Sequence, residues 1–91
     1  MELKHEESKN RFYLLDNKKE IGEIAYANVK DGLIDINHTE IDVNYRGQDL
    51  GLQLIKAVAD FARENKLKAR ASCPYVAKVF GETDKYDGIK A

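Results

Sequence analysis

The sequence predicts an α/β (α+β) fold: a mainly antiparallel meander sheet with a bulged central strand, one main amphipathic helix and a short C-terminal helix. Three observations carry this. Asp31-Gly32 stands between two apolar runs, a strong hairpin signal. Leu50, Leu54, Ile55, Val58, Phe61 and Ala62 recur at spacings of three and four, so they share one helix face. In the run before that helix the apolar positions change phase. Ile34 and Ile36 are even; Ile41 and Val43 are odd.

Taken in order, Arg11 to Leu15 reads as a strand and Asp16-Asn17-Lys18-Lys19 as a turn, since Asp and Asn bond their own backbone. Glu20 to Val29 is a second strand, with Ile21, Ile24, Tyr26 and Val29 as its bulk. Leu33 to Val43 is the third. A strand with one buried face keeps period two, so a phase slip between residues 37 and 40 is what a β-bulge produces. A sheet buried on both faces would also tolerate it. Asn44 to Gly51 is a polar loop, and Leu50 to Asn65 is the main helix, with Asn65 as its stop. Leu67 to Cys73 is a fourth strand ended by Pro74, with Lys66, Lys68 and Arg70 on a solvated face. Tyr75 to Phe80 is a short helix closed by Gly81. Residues 1–10 and 82–91 are polar and expected to be loose.

The chain of 91 residues fits one small domain. Its 15 basic and 16 acidic residues nearly cancel, which argues against a nucleic-acid surface. No apolar run approaches a membrane span, and Met1 to Asn10 do not resemble an export signal. The single cysteine, Cys73, excludes an internal disulfide. Together these features predict a cytoplasmic setting. The two histidines and the cysteine lie far apart without a metal-ligand spacing, so no metal is expected.

The segment Tyr45-Arg46-Gly47-Gln48-Asp49-Leu50-Gly51 opens the main helix. A helix start offers unpaired N–H groups and partial positive charge, glycines permit close approach, and arginine suits phosphate oxygens. This is an anion-site pattern, although an ordinary strand-to-helix connection with two glycines would also explain it. The segment resembles the acyl-CoA pyrophosphate loop of the GNAT superfamily of N-acyltransferases, where Arg46 and Gly51 match the family pattern. The order of meander, bulged strand, loop, long helix and strand is similar as well. The resemblance extends to the minimal YjdJ-type branch through His38-Thr39, Arg46-Gly47, and a cysteine with Tyr75 two residues on.

The resemblance implies acetyl-CoA (CoA) as cofactor. Ile41, Asp42 and Val43 would bond the pantetheine arm, and Arg46, Gly47, Gln48, Asp49, Leu50, Gly51 and Leu52 would bind around the pyrophosphate. The family usually has glycine where Asp49 stands. An Asp49 carboxylate capping the helix would compete with the pyrophosphate and weaken binding. The implied activity is N-acetyl transfer to an unidentified amine or protein acceptor, through an acetyl-Cys73 intermediate. Cys73 would be the nucleophile, His38 its base or the base for the amine, and Tyr75 the proton donor to the leaving thiolate. Each has a plainer alternative: core filler for Cys73, exposed polar residue for His38, packing for Tyr75. Glu40 is a second candidate base or a solvated carboxylate, and His5 has no assigned role. The competing class is a non-catalytic acetyl-CoA-binding or accessory interaction module.

Overall fold

The computed structural model describes residues 1–91. Its strands are β1 (Glu2–Glu6), β2 (Arg11–Asp16), β3 (Lys19–Lys30), β4 (Leu33–Ile41) and β5 (Lys68–Ala71). Its helices are α1 (Leu50–Glu64) and α2 (Pro74–Glu82). The sheet runs β1-β2-β3-β4-β5, with the first four strands antiparallel and β5 parallel to β4. A parallel partner needs a crossover, and α1 supplies it.

Local chemistry explains the turns. Asn17 and Lys18 both take positive φ, as a tight β2–β3 hairpin requires. Gly32 takes φ +80° in the β3–β4 hairpin. Helix α1 ends where Asn65 donates its side-chain amide to the Phe61 carbonyl at 2.9 Å and Lys66 turns left-handed. Leu54, Ile55, Val58 and Ala62 are fully buried, against Ile24, Ile34 and Ile36 of the sheet, in one core cluster.

The phase slip in β4 is a bulge. Ala25 pairs with His38 but Tyr26 pairs with Ile36, so Asn37 is the extra residue. Ile36 stays in the core while His38 turns to the outer face, and Thr39 and Ile41 return to the helix side.

Several boundaries differ from expectation. The third strand stops at Ile41, because the Asp42 side chain accepts the Asn44 N–H at 2.9 Å and caps a 3-10 turn over Val43–Tyr45. Strand β5 is shorter than 67–73. Pro74 opens α2, since its missing N–H costs nothing at a first helical position, and Gly81 lies within that helix.

Neither end is loose. Residues Glu2–Glu6 pair along β2, and the His5 ring stacks on its cross-strand partner Phe12 at 3.9 Å. The His5 Nε2 also meets the Tyr26 hydroxyl at 2.8 Å. At the other end Tyr86 packs on Phe80, Ile89 is buried, and Lys90 bridges Ala69 in parallel. These segments look solvated because half of their residues are charged; a few apolar residues anchor each. No helix is long and apolar enough to cross a membrane.

Candidate active site

Strand β5 follows β4 only through Leu33–Ile36, ending where the Ser72 and Cys73 N–H groups both reach the Ile36 carbonyl at 3.1 Å. Beyond the Asn37 bulge the two strands part. The Asp42 N–H bonds the Ile21 carbonyl at 2.8 Å, so by alternation the backbone groups of Thr39 and Ile41 face away from β3, into the gap. The Thr39 N–H turns toward the Cys73 sulfur, and the groups left unpaired along this edge are ready donors and acceptors for an extended ligand.

A cleft of about 440 Å³ opens there, lined by Thr39, Ile41, Tyr45, Arg46, Gly47, Asp49, Leu50, Gly51 and Tyr75. At one end is the start of α1. Asp49 is the cap residue but stands at φ 58°, ψ 25°, in the left-handed region, and its side chain makes no cap bond. The expected capping by Asp49 is therefore corrected: a capping side chain needs an extended backbone to reach back over the first turn. The first helical N–H groups remain free of a side-chain cap. No carboxylate lies within ion-pairing distance of Arg46, and the nearby Asp42 pairs with Lys19 at 3.4 Å. The Asn44 N–H, and then Lys19 and Arg46, hold the Asp42 carboxyl below its ordinary range despite some desolvation. Gly47 takes φ +85°, which favours glycine. Tyr45 ties the loop to the β2–β3 turn by donating to Asp16 Oδ2 at 2.7 Å.

Thr39 and Tyr75 line the rest of the wall, with Cys73 behind them. A Cβ on Gly51 would lie 2.5 Å from the Tyr75 hydroxyl, so Gly51 is small to admit that phenol against the helix. Burial, and then the charge of Asp49, raises the Tyr75 pKa, keeping it a proton donor. The Cys73 Sγ donates to Thr39 Oγ1 at 3.6 Å. Burial pushes the Cys73 thiol up, but the N–H groups of Val76 and Tyr75 and the Thr39 hydroxyl outweigh it, leaving it below an ordinary thiol. Cys73 is only 7% exposed and lies behind the cleft wall rather than on it.

Of the expected cofactor residues, Ile41, Arg46, Gly47, Asp49, Leu50 and Gly51 share this cleft. Asp42, Val43, Gln48 and Leu52 do not line it. The Asp42 amide is committed to Ile21, Val43 is 70% exposed, and Leu52 faces a second groove between α1 and α2. Cys73 and Tyr75 are brought together; His38 is not brought to them. The bulge turns His38 outward, where its Nε2 lies 3.5 Å from Glu40 Oε2 and 3.8 Å from Glu23 Oε2. Thr39 takes the position beside Cys73 instead. Sequence reasoning passed over Thr39 and Tyr45 as site residues; the inward phase of Thr39 after the slip was the available signal.

The comparisons agree with this architecture. The model of a family described as GCN5-related N-acetyl-transferase matches residues 11–89. Protein NATD1 of Danio rerio is 30% identical over 83 residues, covering 90% of this chain and 76% of that protein. A GCN5-like protein of Staphylococcus aureus, solved by NMR, superposes with a TM-score of 0.82 at 35% identity, covering 99% of this chain and 87% of that one. N-acetylglutamate synthase of Neisseria gonorrhoeae, solved with coenzyme A and N-acetyl-glutamate, shares the fold alone. It superposes with a TM-score of 0.69 at 16% identity, covering 84% of this chain and 19% of that one. The chain belongs to the GCN5-related N-acetyltransferase family.

Proposed function

We propose that this chain binds acetyl-CoA in the cleft and transfers its acetyl group to an amine. One observation carries the reading: a single cleft joins the uncapped start of α1, beside the unpaired Arg46, to the open edge of Thr39 and Ile41, with Tyr75 on its wall and Cys73 just behind it. The pyrophosphate fits the helix start, where free N–H groups, Gly47 and Arg46 supply donors and positive charge. The pantetheine arm fits the open backbone edge of Thr39 and Ile41, and the thioester then points toward Tyr75.

Cys73 serves as the nucleophile. Its thiolate adds to the thioester carbonyl, the carbon–sulfur bond to CoA breaks, and the Tyr75 hydroxyl protonates the departing thiolate before recovering its proton from water. The neutral amine then attacks the acetyl-cysteine, loses a proton to water and releases the Cys73 thiolate. His38 takes no part in the first step, because it faces away from Cys73.

Amide-shift titration with acetyl-CoA, followed by intact mass measurement, tests this. Shifts concentrated on Thr39, Ile41, residues 46–51 and Tyr75 are expected, with an acetyl group on the protein that Cys73→Ser abolishes and amines discharge. No shift at about 1 mM ligand would sink the reading. The burial of Cys73 behind the cleft wall favours a second reading, a non-catalytic acetyl-CoA-binding module. Binding without any acetyl transfer to Cys73 or to amines would establish that one.

A further inference from the structure

On the opposite side of β4 from the cleft, three side chains converge that no acyl-transfer step uses. Glu40 and Glu23 are direct cross-strand partners, and His38 sits two residues before Glu40 on the same face. Like charges directly opposite one another destabilise a strand pair. Arg11 relieves only part of this: it holds Glu23 Oε1 at 3.1 Å and reaches Glu6 and Glu20, not Glu40. That contact leaves Glu23 Oε2 turned toward His38 Nε2. Lys19, the nearest lysine of the β2–β3 turn, is engaged with Asp42. Apart from the His38 ring, no protein cation therefore stands beside both Glu23 Oε2 and Glu40 Oε2.

We propose that Glu23, His38 and Glu40 form a binding site for a divalent first-row transition-metal ion, independently of the acyl-transfer reading. Their ligand atoms all lie within 4.8 Å of one another. The two distances from His38 Nε2, 3.5 and 3.8 Å, are close to a tetrahedral edge. That edge is about 3.4 Å for bonds of about 2.1 Å. Small side-chain rotations therefore complete the set without backbone movement. Two hydrogen-bonded strands hold the ligands in register, and the Asn37 bulge places His38 on this face. One imidazole with two carboxylates suits Zn²⁺ and its neighbours rather than Mg²⁺, which prefers oxygen and keeps its waters. The remaining coordination position faces solvent and is left to water.

The test is calorimetric titration of the full chain with Zn²⁺ near neutral pH, with NMR of the two histidine rings in parallel. One equivalent should bind, perturbing His38 and not His5. His38→Ala and Glu40→Gln should each lower affinity about tenfold or more, since even indirect partners of a metal contribute that much. Both side chains are exposed, so circular dichroism should show both variants folded. Cys73→Ser should bind as the parent does, and Mg²⁺ should not compete. Absence of binding, unchanged affinity in His38→Ala, loss of binding in Cys73→Ser, or equal competition by Mg²⁺ would each overturn the proposal.

Discussion

Residues Leu33–Ile36 of β4 pair with β3 on one edge and β5 on the other, whereas His38–Ile41 keep only the β3 partner. One inserted residue, Asn37, separates these halves. In the first half Ile34 and Ile36 are fully buried, and the backbone is paired along both edges. In the second, Ile41 is only partly buried and the backbone of Thr39 and Ile41 opens onto the cleft. The same strand is thus doubly paired scaffold and open edge in turn. Free backbone groups at the site exist because a ladder is interrupted, and the doubly paired half keeps the interruption local.

The largest expected effect tests that division directly. Ile36→Ala should cost about 2–5 kcal/mol of stability in urea unfolding, the range for a buried isoleucine cut to alanine. Ile41→Ala should cost roughly 1 kcal/mol, because much less of its surface leaves water, yet should weaken acetyl-CoA binding more. Equal losses of stability would remove the distinction between the halves. Next is Gly51→Ala, whose new Cβ meets the Tyr75 hydroxyl. Displacing that phenol should lower acetyl-CoA affinity about tenfold, a loss of about 1.4 kcal/mol. Unchanged affinity would show that the Tyr75 position does not matter to binding.

A smaller effect, of opposite sign, is expected at Asp49. Its left-handed backbone suits glycine better, and its carboxylate opposes an anionic ligand. Asp49→Gly should raise stability by roughly 0.5 kcal/mol and tighten CoA binding several-fold. Unchanged or weaker binding would mean that the carboxylate serves the site. The smallest effect lies outside β4. Burial lowers the His5 pKa below its ordinary 6.5, against a smaller opposing pull from Glu7. The unfolded chain therefore binds the proton more readily, so stability is full above about pH 6.5 and is lost as pH falls through the lowered value. Protection of the β1 amides, taken as exchange relative to the intrinsic rate at each pH, should fall on going from about pH 7.5 to about pH 5.5, and His5→Phe should abolish that fall.

Much of this was legible in the sequence where a pattern is local. The hairpin at Asp31-Gly32, the α1 stripe and the phase slip in β4 each report on near neighbours along the chain. What went unread in the slip is that Thr39 shares the phase of Ile41 and His38 does not. Asn37 as the extra residue sends His38 outward and Thr39 inward, which parts His38 from Cys73. The Glu23, His38 and Glu40 group was invisible because Glu23 sits on another strand. Strand β1 and the tail were hidden by charge: each rests on partners distant in sequence, such as His5 on Tyr26 and Lys90 on Ala69. The uncapped Asp49 was missed because residue type alone does not give φ.

The Lys90 bridge also bears on how the molecule avoids its own copies. A sheet has two outer strands, and unpaired N–H and C=O groups there are templates for adding another chain. Here the two rims are guarded differently. The β5 rim is covered by the last residues, with Ala69 exchanging backbone bonds with Ile89 and Ala91. The β1 rim is guarded by charge, with Glu2 and Lys4 flanking the half-exposed Leu3. Salt screens the second guard and leaves the first intact. Self-association driven by high ionic strength should therefore begin at β1, whereas trimming the chain after Glu82 should start it from β5 at any salt concentration.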